Sequence, residues 1–447
     1  MVLRTKRTCR LQTVQSTTGT VAALAGLLAA LPVSLTFTVI AWLRSQAAPR
    51  PVEPAAVRRT VMISGGKMTK ALALARAFHR AGHRTILVES AKYRMSGHRY
   101  SRAVDRFHPV PEPHSPDYVE ALTRIARDED VDVYVPVCSP ASSYHDARAK
   151  PELSRHCEVL HFDLDTVRRL DDKFEFSRTA ESLGLSVPES YRITDPQQVI
   201  DFDFGTRERR FILKSIPYDP VRRLDLTRLP CDTPAETAAF VRSLPISEDN
   251  PWIMQEYIAG QEYCTHSTVR DGEVTLHCCC TSSAFQVNYE MVDRPDIEAW
   301  IRRFVGALEL TGQVSFDFIE AADGRIYAIE CNPRTHSAIT MFYDHPGVAE
   351  AYLSSGRPTI APLSTSRPTH WLYHEVWRLL TDPRHGVRRL RSMLRGKDAI
   401  FDHTDPLPFL LVHHAQIPWL LLQNLRHRTG WIRIDFNIGK LVEPAGD

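Results

Sequence analysis

The segment 312–334, GQVSFDFIEAADGRIYAIECNPR, places several oxygen-bearing side chains where they could act together. Its Asp-Gly pair predicts a two-residue hairpin turn between two strands. That turn sets Asp317 directly opposite Glu330, where two like charges repel and require compensation. Asn332 shares the face of Glu330, because side chains alternate along a strand. The pattern predicts a hairpin with one face of carboxylate and amide oxygens.

The oxygen-bearing face of this hairpin suits a hard cation. Magnesium is usually held by one or two carboxylates together with phosphate oxygens. The alternative is a solvated polar face, but the register and the following Asn332-Pro333-Arg334 favour a metal site at Asp317, Glu330 and Asn332. The opposite face of the hairpin is apolar, and we expect its residues to pack into the core: Phe316, Phe318, Ile329 and Cys331.

Two lysines and a strand connector accompany the hairpin. Lys173 lies in LDDKFEFSRTAESLGLSVPES, and Lys214 ends the apolar run RFILKSI. A buried ammonium group requires an anionic partner. For either lysine taken alone, a surface position is the commoner case. The run 254–263, MQEYIAGQEY, predicts two strands joined at Ala-Gly, and such a connector can offer backbone groups to a purine edge.

The order of these pieces resembles the ATP-grasp superfamily over about residues 60–353, and IECNPR with its preceding Asp is the most specific part. The resemblance implies that ATP is clamped between two α+β halves, and that lysines and metal neutralise phosphate charge. It also implies roles for individual residues. The ATP phosphates would be contacted by Lys173 and Lys214, the adenine by the connector residues Glu256, Tyr257 and Ile258, and the ribose by Glu262. Two magnesium ions would be bound by Asp317, Glu330 and Asn332, and a phosphate or substrate anion by Arg334. Lys214 and Arg334 are the candidate catalytic residues.

The phosphate loop departs from the superfamily pattern. A glycine-rich loop often follows the second lysine, but here Lys214 is followed by SIPYDPVRRLDLTRLP, which has no glycine. Arg222 and Arg223 are candidates to replace it as charge-assisted donors. A solvated loop is the equal alternative.

A closer likeness concerns the substrate. The apolar N-terminus, LKSIPYDPVRRLDLTRLP, HCCCTSSAFQVNYE and a Trp- and His-rich tail together resemble the ATP-grasp ligase of mycosporine-like amino acid biosynthesis. That family couples an amino acid, typically glycine, to 4-deoxygadusol, a cyclohexenone acid. The likeness implies the same reaction here. The alternatives are a carboxylate–amine ligase that forms an acyl phosphate, and a non-catalytic nucleotide-binding membrane protein.

The spacing of apolar residues predicts the helices and strands that position these side chains. Short apolar runs at 60–64, 85–88 and 131–137 alternate with helical patterns, which predicts a parallel α/β domain. GGKMTKA after the first run is not the GxGxxG of a dinucleotide site, so we disfavour NAD. From about residue 151 the pattern becomes α+β. We therefore expect a leader and linker at 1–59, a pre-ATP-grasp domain at 60–150, an ATP-grasp domain at 151–355 and a helical tail at 356–447.

The leader contains 24 uncharged residues, 20–43, reading TVAALAGLLAALPVSLTFTVIAWL. At about 1.5 Å per residue they span about 36 Å, enough for the hydrocarbon layer of a bilayer. The alternatives are a cleaved signal peptide and a disordered leader. We expect a membrane anchor, with the body facing the cytosol where ATP is available. Basic residues on both sides leave the orientation undecided.

Composition excludes several other classes. The chain has 447 residues, a net charge of +2 and 43% apolar residues, which are globular values. Residues 1–52 contain six basic residues and no acidic ones, so the remaining residues have a net charge of −4. A body with that charge lacks the basic surface that nucleic-acid binding requires. Nine cysteines without a CxxC pair argue against disulfides and structural zinc. The apolar run 407–425 predicts a core or subunit contact rather than a second span, and a homo-oligomer is possible.

Overall fold

The computed structural model describes residues 14–15, 17–47, 52, 55–137, 139–205, 209–217, 222, 225–282, 288–381 and 383–443. Its described strands form five sheets, of which three build the region around the candidate site. An N-terminal helix, α1 (Thr17–Ala47), precedes them. Most of the predicted basic leader lies outside the described residues.

The first sheet is entirely parallel, as predicted, with strand order β3-β2-β1-β4-β5. Parallel strands covered on both faces are apolar throughout, and the three residues 61–63 of the central strand are fully buried. The elements of this unit are β1 (Thr60–Ile63), α2 (Thr69–Arg80), β2 (Arg84–Ser90), β3 (Arg106–Val110), α3 (Tyr118–Asp128), β4 (Val133–Val135), α4 (Pro140–Leu153) and β5 (Glu158–Val159).

The predicted helical region 165–183 is two helices, α5 (Leu164–Asp171) and α6 (Lys173–Ser182). Asp172 between them has an extended backbone, and its carboxylate accepts the Phe174 and Glu175 N–H groups at 2.9 and 3.1 Å. This N-cap starts a new helix at Lys173. A small antiparallel sheet follows, made of β6 (Ser190–Ile193), β7 (Phe211–Ser215) and β8 (Trp252–Glu256) in the order β6-β8-β7, with α7 (Pro196–Ile200) and α8 (Pro234–Arg242).

A four-stranded antiparallel sheet, in the order β10-β9-β12-β13, carries the acidic hairpin. Its core is aromatic. The ring centroids of Trp300 and Phe304 lie 5.3 Å apart in a stacked arrangement, and those of Phe316 and Phe176 of α6 lie 6.0 Å apart. The run Cys278–Cys280 is buried strand packing, as predicted. The elements are β9 (Gly260–Arg270), β10 (Glu273–Thr281), β11 (Asn288–Tyr289), α9 (Pro295–Ala307), β12 (Gly312–Ala321), β13 (Ile326–Asn332) and α10 (Val348–Leu353).

The C-terminal region is not purely helical, because short strands join it to the rest. The run 407–425 packs into the core, as predicted, through fully buried Val412, Ile417 and Leu421. His413 is buried and stacks on Tyr373 at 4.0 Å, so it is a packing residue. The elements are β14 (Thr369–His370), α11 (Leu372–Thr381), α12 (Gly386–Arg395), β15 (Lys397–Asp398), α13 (Leu407–Leu411), α14 (Ile417–His427), β16 (Arg433–Asp435) and β17 (Lys440–Val442).

Helix α1 has the length and composition of a membrane-spanning helix, and it is the one such helix in the described part of the chain. Its mean hydropathy is 2.1 over the most apolar window, and only 17% of that window is buried. One apolar helix near an N-terminus is weak evidence for a span, since core helices and signal sequences share these properties.

Candidate active site

The β12–β13 hairpin has the predicted register where the acids lie, and Asp317 pairs with Glu330. The turn itself differs from the prediction. The Ala321 N–H donates to the Arg325 carbonyl at 2.8 Å, so the loop has three residues, and Gly324 has φ +82°. A left-handed glycine at the end of a three-residue loop is a common hairpin solution. Near the turn, this loop shifts the pairing by one residue from the predicted register.

A bulge at Ile329 corrects that shift. Phe318 pairs with Ala328 and Asp317 pairs with Glu330, so the residue between Ala328 and Glu330 has no partner opposite it. The bulge also changes the core face. Ile329 was predicted to be a core residue but is only half-buried, whereas Ala328 is fully buried in its place. The other predicted core residues of the hairpin are buried: Phe316, Phe318 and Cys331.

Lys173 reaches the acidic face from the start of α6. Its Nζ lies 3.2 Å from Glu330 Oε1. In the first turn of α6, the buried Phe176 packs against Phe316 and fixes the helix on the aromatic core. Burial alone would lower the pKa of Lys173, but the charges of Glu330 and Asp171 outweigh it and raise the pKa. The lysine is therefore held charged against the hairpin.

Lys214 approaches from β7, on the other sheet. Its Nζ donates to Gln255 Oε1 of β8 at 3.2 Å, and Gln255 Nε2 donates to the Ile329 carbonyl at the bulge at 3.4 Å. Burial lowers the pKa of Lys214, while the negative charge of Glu330 partly opposes that effect. Gln255 thus links the lysine to the acidic hairpin, and the two sheets meet at this point.

Arg334 follows β13 and turns back over it. Its guanidinium lies 3.3 Å from Asp171 Oδ1 and also donates to Asn332 Oδ1. Tyr144 donates its hydroxyl to the other Asp171 oxygen at 2.9 Å. The arginine is therefore held by α5 on one side and by a candidate metal ligand on the other.

The electrostatics of the two acids differ although they face each other. Burial and the charge of Glu330 raise the pKa of Asp317 to about 7. Burial also acts on Glu330, but Lys173 and Lys214 outweigh it and hold its pKa below the usual range. The hairpin therefore has one ionised carboxylate, Glu330, and one carboxyl, Asp317, whose pKa lies near neutrality.

The predicted adenine connector begins at Glu256, the last residue of β8, and leads toward β9. The N–H groups of Glu256 and Tyr257 donate to the Glu189 and Arg210 carbonyls at 2.8 and 2.7 Å. The Arg228 guanidinium lies 4.1 Å from the centre of the Tyr257 ring. The half-buried Ile258 completes the connector.

Glu262 enters the site along β9. Burial lowers the pKa of Lys214, and the negative charge of Glu262 partly opposes that effect. Burial and Glu330 raise the pKa of Asp317, and Glu262 adds to that rise. Gly260 starts this strand, and a Cβ there would lie 1.8 Å from the Glu320 carbonyl oxygen. The backbones of β9 and β12 therefore approach each other at a position that accepts only glycine.

The donor set fits magnesium better than zinc or iron. Asp317 and Glu330 offer carboxylate oxygens and Asn332 an amide oxygen, which matches the hard ligands of Mg²⁺ when phosphate oxygens complete the shell. In the described residues, no group of three or more His, Cys, Asp or Glu side chains is arranged to hold a metal. Lys173 and Arg334 contact two of the three candidate ligands in the ligand-free protein.

Sequence reasoning missed residues that support the site. Gln255 accepts a hydrogen bond from Lys214, and Asp171 forms an ion pair with Arg334. The Tyr144 hydroxyl donates to Asp171. Gln255 lies within MQEY, so the strand period could have placed it on the face of Lys214. Of the two arginines proposed for the phosphate loop, Arg222 is half-buried and Arg223 lies outside the described residues.

Solved structures share this arrangement of sheets. N5-carboxyaminoimidazole synthetase from Staphylococcus aureus superposes with a TM-score of 0.52 at 13% identity, covering 71% of this chain and 83% of that one. An ADP complex of N5-carboxyaminoimidazole ribonucleotide synthetase gives 0.54 at 15% identity, covering 74% and 87%. Biotin carboxylase from Campylobacter jejuni gives 0.50 at 14% identity, covering 66% and 72%. Neither a protein-family model nor a curated protein matches the sequence. The chain therefore has the ATP-grasp fold that its motifs resemble.

Proposed function

We propose that the protein is an ATP-dependent ligase that forms a C–N bond through a phosphorylated intermediate. The observation that carries the proposal is the convergence of two lysines on the acidic hairpin. Lys173 contacts Glu330 directly, and Lys214 reaches the same hairpin through Gln255. Two of the structures with this fold are named synthetases, and one of those is an ADP complex.

In this proposal, ATP lies between the β6-β8-β7 sheet and the β10-β9-β12-β13 sheet. The base contacts the connector at Glu256, Tyr257 and Ile258, and the ribose hydroxyls bind Glu262. Lys173 and Lys214 bind the phosphates. Because Lys173 is paired with Glu330 in the free protein, ATP binding exchanges that partner for phosphate. The lysines then balance the charge that develops during phosphoryl transfer.

Magnesium would be held by Asp317, Glu330 and Asn332, with two ions expected. When bound, it supplies Lewis-acid stabilisation of phosphate oxygens. The chain's own contribution is to hold Glu330 ionised through Lys173 and to orient Asn332 through Arg334. Arg334 is also placed to bind an anionic group of the second substrate, with Asp171 fixing its position.

The reaction balances as two displacements. An oxygen of the acid substrate attacks the γ-phosphorus of ATP, and ADP leaves. The amine nitrogen then attacks the carbon that bears the phosphorylated oxygen, the C–O bond breaks, and inorganic phosphate departs while the amine loses a proton. Phosphate is a far better leaving group than hydroxide, so one difficult step becomes two easier ones.

The substrate pair we propose is glycine and 4-deoxygadusol, in which the phosphorylated oxygen belongs to the enol of the cyclohexenone. Support comes from the sequence likeness at LKSIPYDPVRRLDLTRLP and HCCCTSSAFQVNYE. The second candidate is a carboxylate–amine ligase acting through an acyl phosphate. The same lysines and acids would serve it, and only the identity of the acid separates the two.

We also propose that the protein is attached to a membrane by its N-terminal apolar helix, with the ligase site facing the cytosol. Support comes from the apolar composition of α1 and its low burial against the rest of the chain. ATP supply requires the site to face the cytosol.

A phosphate-release assay tests the proposed activity. The full chain in detergent, with ATP and magnesium, should release phosphate only when 4-deoxygadusol and glycine are both present. Release with simple carboxylic acids and amines instead would favour the second candidate. Glu330→Gln should abolish release, whereas Glu273→Gln, an exposed glutamate on β10, should not. Binding of ATP without turnover on any acid and amine would indicate a non-catalytic nucleotide-binding protein.

A further inference from the structure

Helix α1 lies along the protein instead of projecting from it. Its buried residues form one stripe at three-, four- and seven-residue spacing: Thr20, Leu27, Ser34, Thr38, Ala41 and Ser45. The stripe runs from Thr20 to Ser45, which are 25 residue steps apart, or about 37 Å at about 1.5 Å per residue. Buried positions therefore recur over more than the thickness of a bilayer core of about 30 Å.

Hydrogen bonds fix the helix at separate points of this stripe. Near its start, Trp431 Nε1 donates to Thr20 Oγ1 at 2.9 Å. In its middle, the Ser34 hydroxyl and the Tyr373 hydroxyl of α11 lie 2.9 Å apart. The protein-facing stripe is small and polar, while large apolar side chains point outward, including Leu28 at 69% and Phe37 at 60% exposure. A helix bound in this way cannot cross a bilayer unless the domain crosses with it.

A second apolar surface begins where α1 meets α11. Tyr373 starts an i, i+3, i+4, i+7 stripe on α11 that continues through Val376, Trp377 and Leu380, and Trp377 and Leu380 are 65% and 73% exposed. α12 lies beside α11, since a Cβ on Gly386 would contact the Leu379 side chain at 3.3 Å. It exposes its own stripe at i, i+3 and i+7: Val387, Leu390 and Leu394.

The charge of this helical pair selects one kind of partner. The segment 372–395 contains six arginines and two acids, and one of the acids, Glu375, is buried against Arg378. Arg388, Arg391 and Arg395 are exposed on α12 beside its apolar stripe. Aromatic and aliphatic residues on one face with arginines beside them are typical of helices that lie in an anionic membrane interface.

We propose that α1 and the α11–α12 pair form one docking surface that lies within a single leaflet of an anionic membrane. The outward face of α1 and the α11–α12 stripes enter the acyl boundary, and the α12 arginines contact lipid phosphates. This arrangement differs from the bilayer-spanning helix that the sequence predicts, and the two make different predictions for topology. The proposal rests on the membrane attachment proposed above but not on the ligase chemistry.

Topology tests the in-plane arrangement. The full chain, with one epitope tag before Met1 and another after Asp447, is expressed in cells, and membrane vesicles of known sidedness are treated with protease. In-plane docking predicts that both tags are digested from the same side. A spanning α1 would place the tags on opposite sides and would overturn the proposal.

Flotation with purified full chain tests the α11–α12 contribution. Vesicles of phosphatidylcholine with 30% phosphatidylserine are compared with vesicles of phosphatidylcholine alone. Charge reversal at Arg388, Arg391 and Arg395 should weaken binding to the anionic vesicles by at least about fivefold per arginine. The matched control reverses Arg124, Arg127 and Arg155, which are exposed on the parallel α/β unit and at its edge.

A second variant, Trp377→Asp with Leu390→Asp and Leu394→Asp, should lose most vesicle binding, while Leu363→Asp at another exposed site should not. ATP binding in detergent should be unchanged in every variant, which shows that each one folds. Wild-type binding by the charge and apolar variants would overturn the proposal. Membrane association in cells without binding to protein-free vesicles would also overturn it, because a protein partner would then cover this surface.

Discussion

Replacing Asp317 with asparagine should stabilise the ligand-free protein at neutral pH while abolishing activity. In the folded protein, burial and the facing Glu330 raise the pKa of Asp317 from 3.8 to about 7. A carboxyl whose pKa is raised on folding binds its proton more tightly in the folded state. The contribution of Asp317 to wild-type stability should therefore fall as pH rises from about 4 to about 7 and level off above that range.

The size of this effect follows from the same change in pKa. A rise from 3.8 to about 7 corresponds to up to about 4 kcal/mol of free energy of unfolding lost at pH 8. The asparagine side chain has no ionised form, so Asp317→Asn should recover most of this loss at pH 8 and little at pH 4. Magnesium with ATP should reduce the difference, because cations then share the carboxylate charge.

Urea unfolding of the full chain in detergent and EDTA, at pH 4 to 8, measures this difference between variant and wild type. Asp165→Asn, at a carboxylate whose side chain is 94% exposed, is the matched control and should show no such trend. A variant less stable than wild type at pH 8, or a difference independent of pH, would refute the electrostatic account of the hairpin.

Three further substitutions test other parts of the site. Lys214→Met should weaken ATP binding by about 1.5–3 kcal/mol in calorimetry, because a charge-assisted contact is lost. The control variant Lys92→Met, in the parallel α/β unit, should bind ATP like wild type. Equal ATP affinity of the two variants would contradict the phosphate role of Lys214. Phe318→Ala should lower the free energy of unfolding by about 3–5 kcal/mol through cavity formation and leave the magnesium dependence of turnover unchanged, and a shifted dependence would show that the core face is not independent of the acids. Gly260→Ala should disrupt the β9–β12 pairing, since the new Cβ would meet the Glu320 carbonyl; a wild-type melting temperature would be the opposite result.

The pairing of Asp317 with Glu330 could be predicted from the sequence, but for an incomplete reason. The Asp-Gly turn signal gave the right partners because two deviations cancel: the loop has one residue more than predicted, and the bulge at Ile329 absorbs it. A bulge depends on pairing within the sheet, and no local pattern indicates it. The same deviation explains why Ala328, and not Ile329, lies in the core.

Elements with a strong period were the most predictable, because local propensity and burial agree there. The parallel sheet and the strands of the acidic sheet follow the apolar runs closely. The break between α5 and α6 was not predicted, since one side-chain cap at Asp172 decides it. Contacts between distant segments could not be predicted either. Gln255 reaching the bulge and Ser34 reaching Tyr373 depend on how separate sheets and helices pack.

In the proposed reaction, ATP phosphorylates an oxygen of the acid before the amine displaces it. Transfer of ¹⁸O tests this most directly. 4-Deoxygadusol labelled at the reacting oxygen is incubated with glycine, ATP, magnesium and the full chain, and the released phosphate is analysed by mass spectrometry. We expect one ¹⁸O atom per released phosphate, because the C–O bond breaks after the oxygen has bonded to phosphorus. Unlabelled phosphate, or formation of AMP and pyrophosphate, would contradict it.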